Sequence, residues 1–98
     1  SELSVEILAN PASFGLTSVY PNPFNPATSI NYNVNKFSKV NINIYDVTGK
    51  LVSILENSYK PVGNHSIVWE ASSLPSGVYF VNLSINSHTE TIKIMLTK

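Results

Sequence analysis

The side chains able to do chemistry in this chain are few and scattered. Its two histidines are His65 and His88, and its six carboxylates are Glu2, Glu6, Asp46, Glu56, Glu70 and Glu90. No serine–histidine–aspartate or cysteine–histidine order follows from their spacing, and no pair of carboxylates is set to face each other as acid–base chemistry requires. There is no cysteine, so thiolate metal sites and disulfides are excluded. No glycine-rich phosphate loop occurs. Asp46 with Asn22 or Asn25 offers oxygen ligands for a calcium ion, but the same residue types cap turns more often. The triplets Asn64-His65-Ser66 and Asn82-Leu83-Ser84 fit the glycosylation pattern, as chance allows in a chain so rich in asparagine. The residues therefore assign no catalytic, cofactor or metal site, and the chain reads as a non-enzyme.

The elements carrying these side chains are β-strands. The chain has 98 residues, one domain's worth, enough to bury a single core unaided. Six lysines balance the six carboxylates and arginine is absent. That leaves no electrostatic footprint for nucleic acid or for an anionic membrane surface. No apolar run approaches the ~20 residues of a membrane-spanning helix, so direct membrane insertion is not expected. The first residues, SELSVEILANPAS, lack the pattern of a signal peptide; an exported protein with this sequence is expected to carry it as the tail of a longer precursor.

Period two dominates the hydrophobic pattern. Ile30, Tyr32 and Val34 alternate with asparagines, as do Val40, Ile42 and Ile44. His65, Ile67 and Trp69 share one face, and Ile92, Ile94 and Leu96 another. Tyr79, Val81, Leu83 and Ile85 line a more apolar strand whose opposite side starts with Val78 and Phe80, which marks it as central and partly covered on both sides. Six strands are predicted at about 28–35, 39–46, 50–56, 65–70, 77–86 and 89–97, with a short seventh at Leu16 to Tyr20. DVTGK, with Asp46 as cap and Gly49 left-handed, and NSH, Asn86 to His88, read as hairpin turns. Short strands at this spacing predict an all-β, immunoglobulin-like antiparallel β-sandwich of about seven strands. Residues 16–98 form that domain; residues 1–15 are read as a linker or edge strand from an upstream domain, LSVEIL (Leu3 to Leu8) alternating in part. Trp69 is the predicted centre of the core.

One segment does not fit a strand. YPNPFNP places Pro21, Pro23 and Pro26 around Phe24. Proline gives no N–H to a ladder and fixes φ, so Pro21-Asn22-Pro23-Phe24-Asn25-Pro26 is predicted to be a stiff bend that leads into the sandwich. Phe24 is expected to plug one end of the core, Asn22 and Asn25 to bond nearby backbone, and the segment to blunt a sheet edge.

The series YPNPFNPATSINYNV, VNINIYDVTGKLV, GNHSIVWEASSLPSGVYFVNL and TIKIMLTK, in this order, resembles the C-terminal sorting domain of the type IX secretion system over about Leu16 to Lys98. It is also similar to the immunoglobulin-like domain of the flagellar hook-capping protein. The resemblance implies a signal that directs a larger exported protein across the outer membrane. The implied partners are a covalently preceding cargo domain and outer-membrane secretion proteins. The implied route runs through the periplasm to the cell surface or medium. It puts the family's glycine–aromatic motif on Gly77 and Tyr79, its basic motif on Lys93 and Lys98, and its proline motif on Pro21, Pro23 and Pro26. The residues themselves give plainer roles: Gly77 opens a strand, Tyr79 packs, and Lys93 solvates a face. Lys98, free of packing, suits recognition best. A partner would read the folded surface, by strand addition at an exposed edge among other ways. A non-catalytic spacer or carbohydrate-binding module is the alternative, for which Tyr45 and Tyr59 are the aromatic candidates.

Overall fold

The computed structural model describes residues 15–98. The reading of residues 1–15 as a linker or edge strand thus lies outside the described residues, Gly15 excepted. Seven strands follow in sequence: β1 (Gly15–Tyr20), β2 (Ala27–Val34), β3 (Ser38–Asp46), β4 (Leu51–Lys60), β5 (Gly63–Glu70), β6 (Gly77–Ile85) and β7 (His88–Leu96). All pair antiparallel, in a three-stranded sheet of order β1-β2-β5 and a four-stranded sheet of order β4-β3-β6-β7. No helix occurs among the described residues.

The alternation that predicts the strands also builds the core. Ile30, Tyr32 and Val34 of β2 face Val40, Ile42 and Ile44 of β3, Tyr79, Val81, Leu83 and Ile85 of β6, and Ile94 and Leu96 of β7, all buried in one cluster. Burial of these side chains is the main favourable term in folding, at about 25 cal/mol per Å² of apolar surface. Trp69 lies in the same cluster, with its ring 5.5 Å from Phe24 and 5.6 Å edge-on to Tyr79.

β4 runs to Lys60, beyond the predicted Glu56, because β3 offers it partners as far as Ser38. Its register slips twice, so Leu55 and Val52 have no partner on β3. These two bulges turn both side chains toward the core and break the alternation that a regular strand shows. The DVTGK turn is capped as expected. One carboxylate oxygen of Asp46, Oδ1, accepts from the Thr48 N–H (2.9 Å), the Thr48 hydroxyl (2.6 Å) and the Lys50 N–H (3.1 Å), and Gly49 takes φ +86°.

Val78 and Phe80 are half-buried on the outer face of the four-stranded sheet. Their cover comes from neighbours within the sheet, Tyr45 opposite Phe80 and Met95 opposite Val78, rather than from a further layer.

Candidate functional site

β7 is an edge strand, and an antiparallel edge leaves alternate N–H and C=O groups without partners. The proline segment meets them. The Phe24 N–H donates to the Met95 carbonyl and the Phe24 carbonyl accepts from the Thr97 N–H, both at 2.9 Å, in a parallel bridge to β7. Pro23 has no N–H to extend that bridge, and the Asn22 side chain takes over. Its amide nitrogen donates to the Lys93 carbonyl (3.2 Å) and its amide oxygen accepts from the Met95 N–H (3.1 Å). One side-chain amide thus stands in for a peptide group of an eighth strand. Nearer the start of β7, Glu90 accepts from the Leu16 N–H of β1 at 3.1 Å and is also bonded to His88.

The segment is itself held firmly. The Pro21 carbonyl accepts from the Thr28 hydroxyl (2.8 Å) and the Pro26 carbonyl from the Ala71 N–H (2.9 Å). All three X–Pro peptide bonds are cis. Phe24 is buried against Trp69 and closes this end of the core, whereas Asn25 is exposed.

The glycine–aromatic pair lies on the other side of the same strand end. Gly77 pairs with Leu96, and Tyr79 with Ile94. Gly77 has φ +152°, and a Cβ there would meet nothing within 4 Å; its backbone conformation, not crowding, calls for glycine. The Tyr79 hydroxyl donates to the Pro75 carbonyl (2.7 Å) and pins the turn before β6. Lys98 Nζ donates to the Ser72 carbonyl (2.6 Å), tying the chain's last residue to the same turn. Lys93 is exposed and, among the described residues, makes no ion pair. A cleft of about 260 Å³ opens beside this cluster, between the Asp46–Val47 turn and residues 74–79. Motifs some 50 and 70 residues apart in sequence therefore converge on residues 93–98. The proline, glycine–aromatic and lysine signals were each visible in the sequence, but their meeting was not.

The remaining polar candidates have local duties. The His65 ring stacks on Tyr32 at 5.4 Å and its Nε2–H donates to the Pro61 carbonyl. Thr48 foremost holds the Asp46 carboxyl below its ordinary pKa, and Ser58 foremost does so for Glu56, with Lys60 adding an ion pair at 3.4 Å. Burial, helped by Glu56, raises the Tyr32 phenol. Among the described residues no three acidic or imidazole side chains gather as metal ligands do. Tyr45 and Tyr59 lie six residues of β3 apart, opposite Leu51 and Lys39 at the two ends of the sheet. That is about 20 Å at ~3.4 Å per residue, too far for one flat platform.

Comparison with known proteins agrees with this architecture. Residues 18–97 match the family described as the secretion system C-terminal sorting domain. Among curated proteins none matches the sequence. One similar solved structure is PorZ, an essential bacterial surface component of the type-IX secretion system of Porphyromonas gingivalis. It is 22% identical with a TM-score of 0.61, over 86% of this chain and 12% of PorZ. At that identity the likeness is one of fold. Another is FlgD from P. aeruginosa, 26% identical with a TM-score of 0.48, over 71% of this chain and 59% of that one.

Proposed function

Because the chain belongs to the secretion system C-terminal sorting domain family, the sorting signal of type IX secretion, we propose that it carries a preceding cargo domain through the periplasm and across the outer membrane as a folded label. The protein it marks is secreted, to the cell surface or the medium. Outer-membrane proteins of the secretion system read the label, and domains of this family are in general non-catalytic. The observation that carries this reading is the convergence of the three motifs on one strand end. Gly77, Tyr79 and the Pro21–Pro26 segment hold that end in shape, and Lys93 and Lys98 present charge from it. Over its clasped half, from the Lys93 carbonyl to the Thr97 N–H, β7 also favours reading of a surface over addition of a strand, since the groups that a new strand needs there are already bonded.

The test is a fusion of the whole chain to the C-terminus of a periplasmic reporter, in a host that has the secretion system. Export of the reporter is expected; retention of a reporter whose tail is folded would overturn the proposal. Removing Met95 to Lys98 is expected to abolish export. A thermal melt of the truncated tail separates loss of the signal from loss of the bonds that Met95 and Thr97 make to the proline segment.

A further inference from the structure

Over β3, β6 and β7 the outer face of the four-stranded sheet changes character along its length. Toward the Asn86 hairpin these three strands are polar, and their side chains bond one another, while on edge strand β4 Ile54 and Tyr59, opposite Asn43 and Lys39, stay exposed. Asn82 donates to Thr91 at 2.9 Å and Ser84 meets Thr89 at 3.3 Å, while Asn41 and Asn43 stand opposite Ser84 and Asn82. Toward the clasped end the face is apolar. Strand register lays Leu51, Tyr45, Phe80 and Lys93 in one row across all four strands, with Val78 and Met95 beside it as the next pair. Leu51 is 43% exposed and Met95 42%, and no described residue covers them. Lys93 is the only charge in that row, and it has no acidic neighbour opposite it in the register.

We infer that this apolar half-face is the surface by which the secretion machinery reads the tail, and that its partner is a protein surface with an apolar centre and a carboxylate placed against Lys93. The inference rests on the sorting function proposed above and assigns it a location. Three features support it. A contiguous apolar patch on a small domain marks an interaction surface, and aromatic side chains with one cationic neighbour are what interface centres favour. The charge is single-signed, so complementarity calls for an acidic rim on the partner. The patch is also rigid: Met95 and Lys93 are anchored through their backbones by Asn22 and Phe24, so little ordering is left to occur on binding. The clasp, which contributes no side chain to the row, then acts by holding the row flat.

The experiment uses the whole chain fused to the periplasmic reporter and compares two matched pairs of substitutions. Each pair places one glutamate on β4 and one on β7. Leu51→Glu with Met95→Glu charges the apolar half; Asn57→Glu with Thr89→Glu charges the polar half. The first pair is expected to lower export about tenfold or more, in the range of a lost interface anchor, and the second to leave it within about twofold. Lys93→Arg is expected to keep export, Lys93→Gln to reduce it and Lys93→Glu to reduce it most, an ordering that a purely structural lysine would not give. Each variant is melted alongside the wild type; where the glutamate pair lowers the melting temperature, Leu51→Ser with Met95→Ser replaces it under the same expectation. If the wild-type fusion is exported and the apolar pair exports equally well, the inference fails while the sorting function stands. If the wild-type fusion is retained, the sorting function fails first. Equal losses from both pairs, or unchanged export with Lys93→Glu, overturn the placement or the acidic rim respectively. Should the isolated chain dimerise in solution, and the apolar pair abolish the dimer while leaving export intact, the face serves a second copy instead.

Discussion

The two edges of the four-stranded sheet face the same hazard and meet it differently. β4 protects itself. Two bulges kink it and turn Val52 and Leu55 inward, and the Glu56–Lys60 pair places charge along it; a bulged, charged edge is a poor template for another strand. β7 pairs with β6 over nine residues without a slip, which would leave a flat, regular edge. Over its C-terminal half its protection comes from the proline segment about 70 residues earlier in the chain. Local protection comes with the strand that needs it. Borrowed protection exists only once the fold has closed, so it makes the shape of the last strand a report on the folding of the whole domain. For a tail that a secretion system must accept, that coupling offers a physical means of distinguishing a finished domain from an unfinished one.

Breaking the borrowed protection at its anchor should have the largest effect. Phe24→Ala removes a fully buried ring from against Trp69 and is expected to cost about 3–5 kcal/mol, measured by urea unfolding; a loss under about 1 kcal/mol would mean that Phe24 is not a plug. Gly77→Ala forces a side chain into a positive-φ backbone without a clash and is expected to cost about 1–3 kcal/mol. A stabilised variant would show that the strain assigned to this position is absent.

Asn22→Ala sharpens the comparison most directly. It removes both side-chain bonds to β7 but no core contact, and solvent can replace them, so about 1 kcal/mol is expected. Amide exchange should quicken at Met95, with no change along β4. Equal quickening at both edges would show that the two are not protected independently. The smallest effect concerns the self-protected edge. The Glu56 carboxyl is held below its ordinary pKa, chiefly by the Ser58 hydroxyl, with Lys60 assisting. A depressed folded pKa stabilises above the unfolded value, and that stability is lost as pH falls through the folded value. Melting temperature should therefore fall less steeply on acidification through the carboxylate range in Glu56→Gln than in the wild type, by a few tenths of a kcal/mol at most for so partly exposed a pair. Identical pH profiles would remove Glu56 from the account of β4.

Much of this was legible in the residues. Alternation marked the strands within one to four residues at their ends, because each strand has one buried face and one wet face. Asp46 and Gly49 announced their turn, and Phe24 and Trp69 their burial. The two bulges of β4 were hidden, since LVSILE carries apolar residues in both phases and only pairing with β3 decides which ones turn inward. The use of Asn22 was hidden as well: the sequence predicts that it bonds nearby backbone, but not that the backbone belongs to Lys93 and Met95.

What the sequence determined by itself is the set of strands, the turns and the inward face of the regular strands β2, β3, β5, β6 and β7, because period, proline and glycine act over a few residues. Tertiary structure alone decided the partner of the proline segment, the register that lines Leu51, Tyr45, Phe80 and Lys93 in one row, and the meeting of three distant motifs at one strand end. Those depend on which strands become neighbours. That choice is settled by the closing of a shared core rather than by any local preference.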